Sequence, residues 1–450
     1  MNLIGTAFAL VCGYLVFTMP RGKAAIPFLL GAIYMTDGQQ IELGPFNFTI
    51  MRLLVVIGVV RIFSKGERLP GGVNLLDKLM VAWTVWGVAC SVFHEPFDKA
   101  IVSHLGFVYN RFGTYFLIRF FIGSFEDFRR VAKALVIMML PLAVEMISEK
   151  FTKQNMFVLL GGIWELEVRG GKIRAQGPFA HSILAGTAGA VCMPLALLFW
   201  KANRKLAIAG VIGTMGMVVA SASSGPILTT MSVVGGLMLW KFKAYLGHMR
   251  MAMIFGIILL ALVMKDPVYY VLAKIDLTGS STGWHRAALI DAAVQYSGEW
   301  WFAGTDFTRH WMPTGIISDP NHTDITNVYL KMGVKGGLPL MFLFIACLGV
   351  AFSLVGKGMR KIPNAPFRDR FMLWTLGVIL LGHSITFLSV DYFDQTVILY
   401  NFILAAVSAL YANLPKPATP VAASVGAGTD EKPPEGQSPR RRRFAGPANA

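Results

Sequence analysis

Three short stretches of this chain hold most of the polar residues able to do chemistry. The first reads Arg174-Ala175-Gln176-Gly177-Pro178-Phe179-Ala180-His181. The second reads Ser280-Ser281-Thr282-Gly283-Trp284-His285-Arg286, with Gly304 eighteen residues after Arg286. The third runs Asp319-Pro320-Asn321-His322-Thr323-Asp324-Ile325-Thr326-Asn327-Val328-Tyr329-Leu330, into an apolar run with Gly333, Gly336 and Gly337. Arginine is a permanently charged planar fork that matches phosphate oxygens. Histidine titrates near neutral pH and suits a general base. Arg174 and Arg286 are therefore candidate anion holders, and His322 is the candidate base, with Asp324 as its orienter or substitute. Each has a plainer reading. Arg174 would anchor at an interface beside Lys172, and Arg286 would pair with Asp291 or Asp276. His322 and Asp324 would cap the next helix, Asn327 would bond loop backbone rather than ligand, and His181 would be a satisfied core histidine.

The elements that must position these residues are apolar. Hydrophobic residues make up 55% of the chain, charged residues 15%, and the mean hydropathy is +0.57. A soluble domain carries about a quarter charged residues. Apolar runs of the length that crosses a bilayer recur at 2–19, 24–36, 47–63, 75–93, 104–122, 131–148, 180–200, 204–221, 224–240, 249–264, 326–355, 371–390 and 395–412. The second is short enough to be re-entrant. The expectation is an all-α, polytopic transmembrane bundle of about 12–13 spans with one large periplasmic loop. The first run, Leu3 to Met19, lacks a basic leader and a cleavage site, so it reads as a retained span.

The net charge of +16 invites a nucleic-acid reading. The basic residues lie instead in short clusters between apolar runs, the pattern that encodes topology, and no basic face interleaves with aromatics. Basic loops at Arg21 to Lys23, Lys65 to Arg68, Arg129-Arg130, Lys201 to Lys205, Lys241 to Arg250 and Lys357 to Arg370 read as cytoplasmic. They alternate with longer or more acidic loops at 37–45, 94–99, 150–178, 265–325 and 389–395. This places the N-terminus outside and the C-terminus in the cytoplasm. The chain divides into a ten-span bundle at 1–264 with the outer loop 150–178, a large outer loop at 265–325, three last spans at 326–412, and a tail at 413–450. The tail is rich in Pro, Ala and Gly and ends near Arg440 to Arg443, a composition for disorder and for contact with anionic membrane lipids. Within the large loop, a helix is expected from a cap at Ser281-Thr282 through Val294.

Charges inside the spans point the same way. Arg52, Arg111 and Glu145 fall toward the outer side, where an unpaired charge is costly and normally finds a partner or a polar cavity. They read as substrate contacts or as an internal salt bridge of Glu145 with Arg52 or Arg111. Arg119, near the cytoplasmic end of its span, is expected to snorkel. Cys12, Cys90, Cys192 and Cys347 show no metal-ligand spacing and read as small hydrophobes. The acidic stretch from Asp319 to Asp324 lacks the spacing of a divalent-ion loop.

The three polar stretches resemble motifs of the bacterial O-antigen ligase and polysaccharide polymerase superfamily, integral-membrane glycosyltransferases. The resemblance rests on Arg-x-x-Gly-x-Phe-x-His before a span, on an Arg near the start of an outer helix, and on Thr326-Asn327-Val328-Tyr329-Leu330, where Thr326 stands in place of the family's His. A second departure is Ser221-Ala222-Ser223-Ser224-Gly225-Pro226, which lacks the family's Ser-Arg-Gly. The resemblance implies a bacterial inner-membrane enzyme with its active face in the periplasm. Its substrate would be a polyprenyl-pyrophosphate-linked glycan. It implies Arg174 and Arg286 on the pyrophosphate; Asn327, Arg111, Arg52 and His181 are the further candidate substrate contacts, and the chemistry requires no metal or other cofactor. Membrane lipids, a chain-length regulator and other polysaccharide-assembly proteins would be partners. Polymerisation of repeat units is the preferred activity. Ligation of glycan to a lipid or protein, and flipping of a lipid-linked sugar, are the alternatives.

Overall fold

The computed structural model describes residues 1–44, 46–162, 167–274, 283–314, 317–393 and 395–415. Ser280 to Thr282, Asp276 and the tail from 416 onward lie outside them. The architecture is an all-α bundle, with a helix at every apolar run. In chain order these are α1 (Leu3–Thr18), α2 (Arg21–Tyr34), α3 (Ile50–Ser64), α4 (Leu75–Ala89), α5 (Phe97–Phe121), α6 (Phe125–Thr152), α7 (Ser182–Leu197), α8 (Arg204–Ala220), α9 (Ser224–Met238) and α10 (Leu246–Val263). The 265–325 segment adds α11 (Val271–Lys274), α12 (Gly283–Gln295) and α13 (Ser297–Trp300). It is followed by α14 (Val328–Lys361), α15 (Phe367–Thr386) and α16 (Gln395–Ala412). Among the described residues, five helical stretches are long and apolar enough to cross a membrane. The chain is a membrane-type helical bundle.

Among the described residues, strands occur only in short hairpins, each strand two to four residues long: β1 (Gln40–Leu43) with β2 (Phe46–Thr49), β3 (Glu167–Arg169) with β4 (Lys172–Arg174), and β5 (Ile317–Asp319) with β6 (His322–Thr323). The β1 end is tied to the neighbouring loop, where Thr36 Oγ1 donates to Leu160 O at 2.5 Å and Asn2 Nδ2 to Leu159 O at 2.7 Å. The long loops therefore gather at one end of the bundle.

α16 is the axial helix. Its residues are apolar around the whole circumference, and such a helix belongs in an interior; all but the last two of its residues are buried. It packs on α5, α14 and α15. α10 is the opposite case, an apolar helix with no buried residue, so its surface faces lipid or a partner.

Inside the bundle, charges are neutralised locally. Arg119 was expected to snorkel and does not, because its partners are inside. Fully buried, it donates from Nε to Asp77 Oδ1 at 3.3 Å and to Ser408 Oγ at 3.0 Å, and from Nη1 and Nη2 to Pro70 O and Gly72 O at 2.8 Å each. Tyr115 also donates to Asp77 Oδ1 at 2.6 Å. Arg61 likewise takes the ends of α1, donating to Val16 O at 2.6 Å and Met19 O at 2.7 Å while paired with Glu67.

α14 is broken. Gly336 and Gly337 leave helical geometry, Gly337 at a φ of 72° that an L side chain rarely adopts. A Cβ there would lie 2.0 Å from Phe302 O. Groups that the break releases find partners elsewhere. Trp86 Nε1 donates to Gly336 O at 2.7 Å, Thr305 N to Val334 O at 2.9 Å, and Leu338 N to Trp301 O at 2.7 Å.

Removing one partner of a buried ion pair strands the other charge, at a cost of about 3–5 kcal/mol. Asp77→Ala is thus expected to unfold at markedly lower temperature, and Asp77→Leu combined with Arg119→Met to recover much of the loss. Thermal unfolding followed by size-exclusion chromatography measures both.

Candidate functional site

The first motif sits on a hairpin. Glu167-Val168-Arg169-Gly170-Gly171-Lys172-Ile173-Arg174 alternates around a Gly-Gly turn whose φ values, 55° and 72°, only glycine adopts readily. The register sets Glu167 opposite Arg174, and their side chains form an ion pair. Arg174 is 3% exposed, so it is no interfacial anchor beside Lys172. Its Nη2 donates to Ser223 Oγ at 2.6 Å, and Ser223 passes a hydrogen bond to Ser221 O at 2.7 Å. The Ser221 to Pro226 segment therefore meets the arginine although it lacks an arginine of its own.

Glu149 on α6 holds the following turn. Its carboxylate accepts from Gly177 N at 2.8 Å and Gln176 N at 3.1 Å, while Asn155 Nδ2 donates to Gly177 O at 2.8 Å. Glu145 one turn earlier accepts from Met156 N at 3.1 Å. The expected salt bridge of Glu145 with Arg52 or Arg111 is absent among the described residues, because loop backbone has taken the carboxylate. His181 is not a core histidine: its side chain is 39% exposed. It caps α7, its Nδ1 accepting from Ile183 N at 3.1 Å, which leaves the proton on Nε2, 3.7 Å from Glu167.

Arg286 lies on α12 at the edge of this cluster. The helix spans Gly283–Gln295, as expected apart from the cap outside the described residues. Asp291 is not its partner, because that carboxylate accepts from the hydroxyls of Tyr269 and Tyr270. Among the described residues, nothing accepts from Arg286 Nε. Burial, and then the charges of Arg169 and Arg174, push its pKa down to about 10. Arg174 is also lowered, by burial first, against the opposing pull of Glu167. Among the described residues, Glu167 is thus taken by Arg174, while Arg286 has the charges of Arg169 and Arg174 acting on it. A partly dehydrated cluster with surplus positive charge is built to receive an anion.

A cavity of about 560 Å³ adjoins the cluster. Its charged lining is Arg52, Arg111 and Lys331 against Asp37, Asp324 and Asp391. Asp324 joins the two regions: it lines the cavity, its backbone oxygen lies 3.1 Å from His285 Nε2 beside Arg286, and its charge acts on His181. Gln395, also in the wall, donates to Pro178 O of the first motif at 3.0 Å. Arg52 donates to Asn110 Oδ1 at 2.8 Å and Asn47 O at 2.5 Å. Arg111 lies over the Phe107 ring at 4.1 Å and donates weakly to Tyr392 O at 3.4 Å.

Two expectations change here. Asn327, read as a substrate contact, gives its carboxamide oxygen to Leu330 N at 3.1 Å and is the N-cap of α14. Asp324 is therefore not that cap. His322, the candidate base, is half-buried on β6 and lies outside the cavity lining, whereas Asp324 is in it. Asp391 and Lys331, 3.7 Å apart in the wall, are functional candidates that sequence reading missed. The 389–395 loop had served only as an acidic topology marker, and its approach to Lys331 is a tertiary fact. Glu167 and Arg169 had a readable signal in the alternation around Gly170-Gly171.

The donor set of the site is all guanidinium, ammonium and carboxylate, and no metal-ligand grouping forms there among the described residues. Among the described residues, the grouping whose ligand atoms come close enough together for a metal is Cys90, His94 and His104, elsewhere in the bundle. No protein-family model matches the chain, and no curated protein matches it.

Burial raises the Asp391 carboxyl above its ordinary range, with Lys331 and Arg111 pulling it back. A carboxyl raised in the folded state stabilises the fold most when protonated. Its contribution is complete below about pH 4, the unfolded value, and is lost as pH climbs through the folded one. Asp391→Asn should melt higher than wild type at pH 7, with the gap closing as pH falls toward 4. A lower melting temperature at pH 7 would mean that the Lys331 ion pair outweighs burial.

Proposed function

We propose that this protein is a membrane-embedded, metal-independent glycosyltransferase that uses a polyprenyl-pyrophosphate-linked oligosaccharide and joins repeat units into a polysaccharide. The observation that carries this reading is Arg286, half-buried, with no acceptor for its Nε and no carboxylate paired with it among the described residues, next to Arg174 and Arg169. Such a site lacks an anion, and a departing pyrophosphate is dianionic or more. The resemblance of the three polar stretches to the polymerase and ligase superfamily supports the same substrate.

In the proposed reaction an acceptor sugar hydroxyl attacks the anomeric carbon from the face opposite the pyrophosphate. The new carbon–oxygen bond forms as the bond to the leaving phosphate oxygen breaks, inverting the centre. The electron pair leaves with the pyrophosphate, whose charge Arg286 and Arg174 stabilise. Preorganised donors of this kind contribute about 3–4 kcal/mol to a transition state. The hydroxyl proton passes to a carboxylate. Asp324 is assigned that role in preference to His322, because it lines the cavity that meets the arginine cluster. Arg52, Arg111 and Lys331 with their balancing carboxylates, and Phe107 and Tyr392, offer the mixed polar and aromatic wall that sugar rings accept. With the basic loops in the cytoplasm, the site faces the periplasm of a bacterial inner membrane, and polyprenyl pyrophosphate is released there.

Purified protein in liposomes with native lipid-linked repeat units is the test, with glycan products resolved by size. The wild type is expected to yield a ladder of lengthening chains, and Arg286→Ala to lower its rate by about 10²–10³-fold. A single addition to a lipid or protein acceptor would replace polymerisation with ligation. Donor that crosses the bilayer unconsumed would overturn the enzyme.

A further inference from the structure

Away from the arginine cluster, Cys90, His94 and His104 converge where α4 turns into α5. Each offers a ligand atom within 4.8 Å of the other two, and all three residues are buried, at 0%, 3% and 1% exposure. The two imidazole rings face four oxygens. His104 Nδ1 lies 2.8 Å from Ala100 O and its Nε2 2.9 Å from Lys335 O. His94 Nδ1 lies 2.7 Å from Asp306 Oδ1 and its Nε2 2.9 Å from Ala303 O.

His94 Nε2 hydrogen-bonds Ala303 O, whereas its buried Nδ1 makes no hydrogen bond, Asp306 Oδ1 lying close but out of line. A neutral His94 therefore carries its proton on Nε2 and presents a bare lone pair at Nδ1. A neutral His104 has one proton for Ala100 O and Lys335 O, so one of its nitrogens is bare as well. A backbone carbonyl or carboxylate on the distal ring nitrogen is the arrangement found behind metal-bound histidines.

We infer that Cys90, His94 and His104 form a structural Zn²⁺ site, with the Cys90 thiolate, His94 Nδ1 and one nitrogen of His104 as ligands and Asp306 beside them. One thiolate with two imidazoles suits zinc among the common divalent ions. Lys335 O, 3.6 Å from Cys90 Sγ and 2.9 Å from His104 Nε2, is a fourth donor within reach. On binding, the Cys90 thiol releases its proton to solvent and the imidazoles keep theirs. Lys335 Nζ is engaged with Ser103 Oγ at 2.7 Å. The metal would fasten the α4–α5 corner to the 303–306 loop and to the break in α14. It stands apart from the transferase reading and survives that reading's failure.

Full-length protein purified without a polyhistidine tag, stripped with chelator and titrated with Co²⁺ tests this. The expected result is one equivalent per chain, visible ligand-field bands of a tetrahedral ion, and a thiolate charge-transfer band that vanishes in Cys90→Ser. Asp306→Asn leaves all three ligands in place and should weaken Co²⁺ binding by about 10–100-fold. Absence of cobalt bands in the wild type would overturn the site whatever the variants do, and so would a charge-transfer band that persists in Cys90→Ser. Unchanged affinity in Asp306→Asn would overturn the place given to Asp306 beside the metal.

Discussion

Backbone that leaves a helix inside an apolar bundle must find new partners for every N–H and C=O it releases, and the break in α14 is where this protein meets that demand. An unmet group in hydrocarbon costs several kcal/mol. Gly336 and Gly337 supply the permissive geometry, and the segment from Trp301 to Thr305 supplies backbone on one side. Trp86 supplies a side chain on the other, and Cys90 and His104 stand beside Lys335 O. Gly304, at a φ of 96°, lets the loop approach so closely that a Cβ there would fall 2.3 Å from Val334 O. The loop containing α12 and Arg286 is thereby fixed to α14, and Lys331 on the first part of α14 is placed at the cavity wall.

The same economy governs the charged groups. At the far end, Arg119 and Arg61 are matched by carboxylates and by helix-end carbonyls, so they hold helices together and nothing else. At the loop end the matching is incomplete. Among the described residues, Glu167 is paired with Arg174, Arg286 Nε has no acceptor, and Asp391 keeps one buried oxygen without a donor. Structural ion pairs and unspent charge thus separate along the bundle axis, and this contrast singles out the loop end as the place for a charged ligand.

Much of the helical order was legible in the sequence because membrane-length apolar runs leave few alternatives. Each of the thirteen runs holds a helix, including the short α2, where Pro27 is accommodated by neighbours that bury most of the helix. Arg174 and Arg286 were legible as cations out of place in loops. What stayed hidden depends on tertiary neighbours. Arg119 looks like a snorkelling residue until Asp77 and Ser408 are brought to it from 42 and 289 positions away. Glu145 looks like an ion-pair partner until Met156 N–H reaches it. Asn327 looks like a sugar ligand in its motif, but the first turn of α14 needs a cap. Cys90, His94 and His104 span too irregular a spacing to read as ligands before α4 and α5 fold against each other.

The partners of the α14 break also carry a consequence for biogenesis. Trp86, Cys90, His104, Trp301 and Thr305 all precede Gly336 in the chain. A ribosome delivering the broken helix to the membrane therefore delivers it to a template already made, and the break can close as it emerges. The opposite holds for the Arg119 cluster, which waits for Ser408 on the last helix to be synthesised. Insertion of α16 is then the event that locks the bundle, and a chain truncated before it would carry a correctly broken α14 inside an assembly whose opposite end is still open.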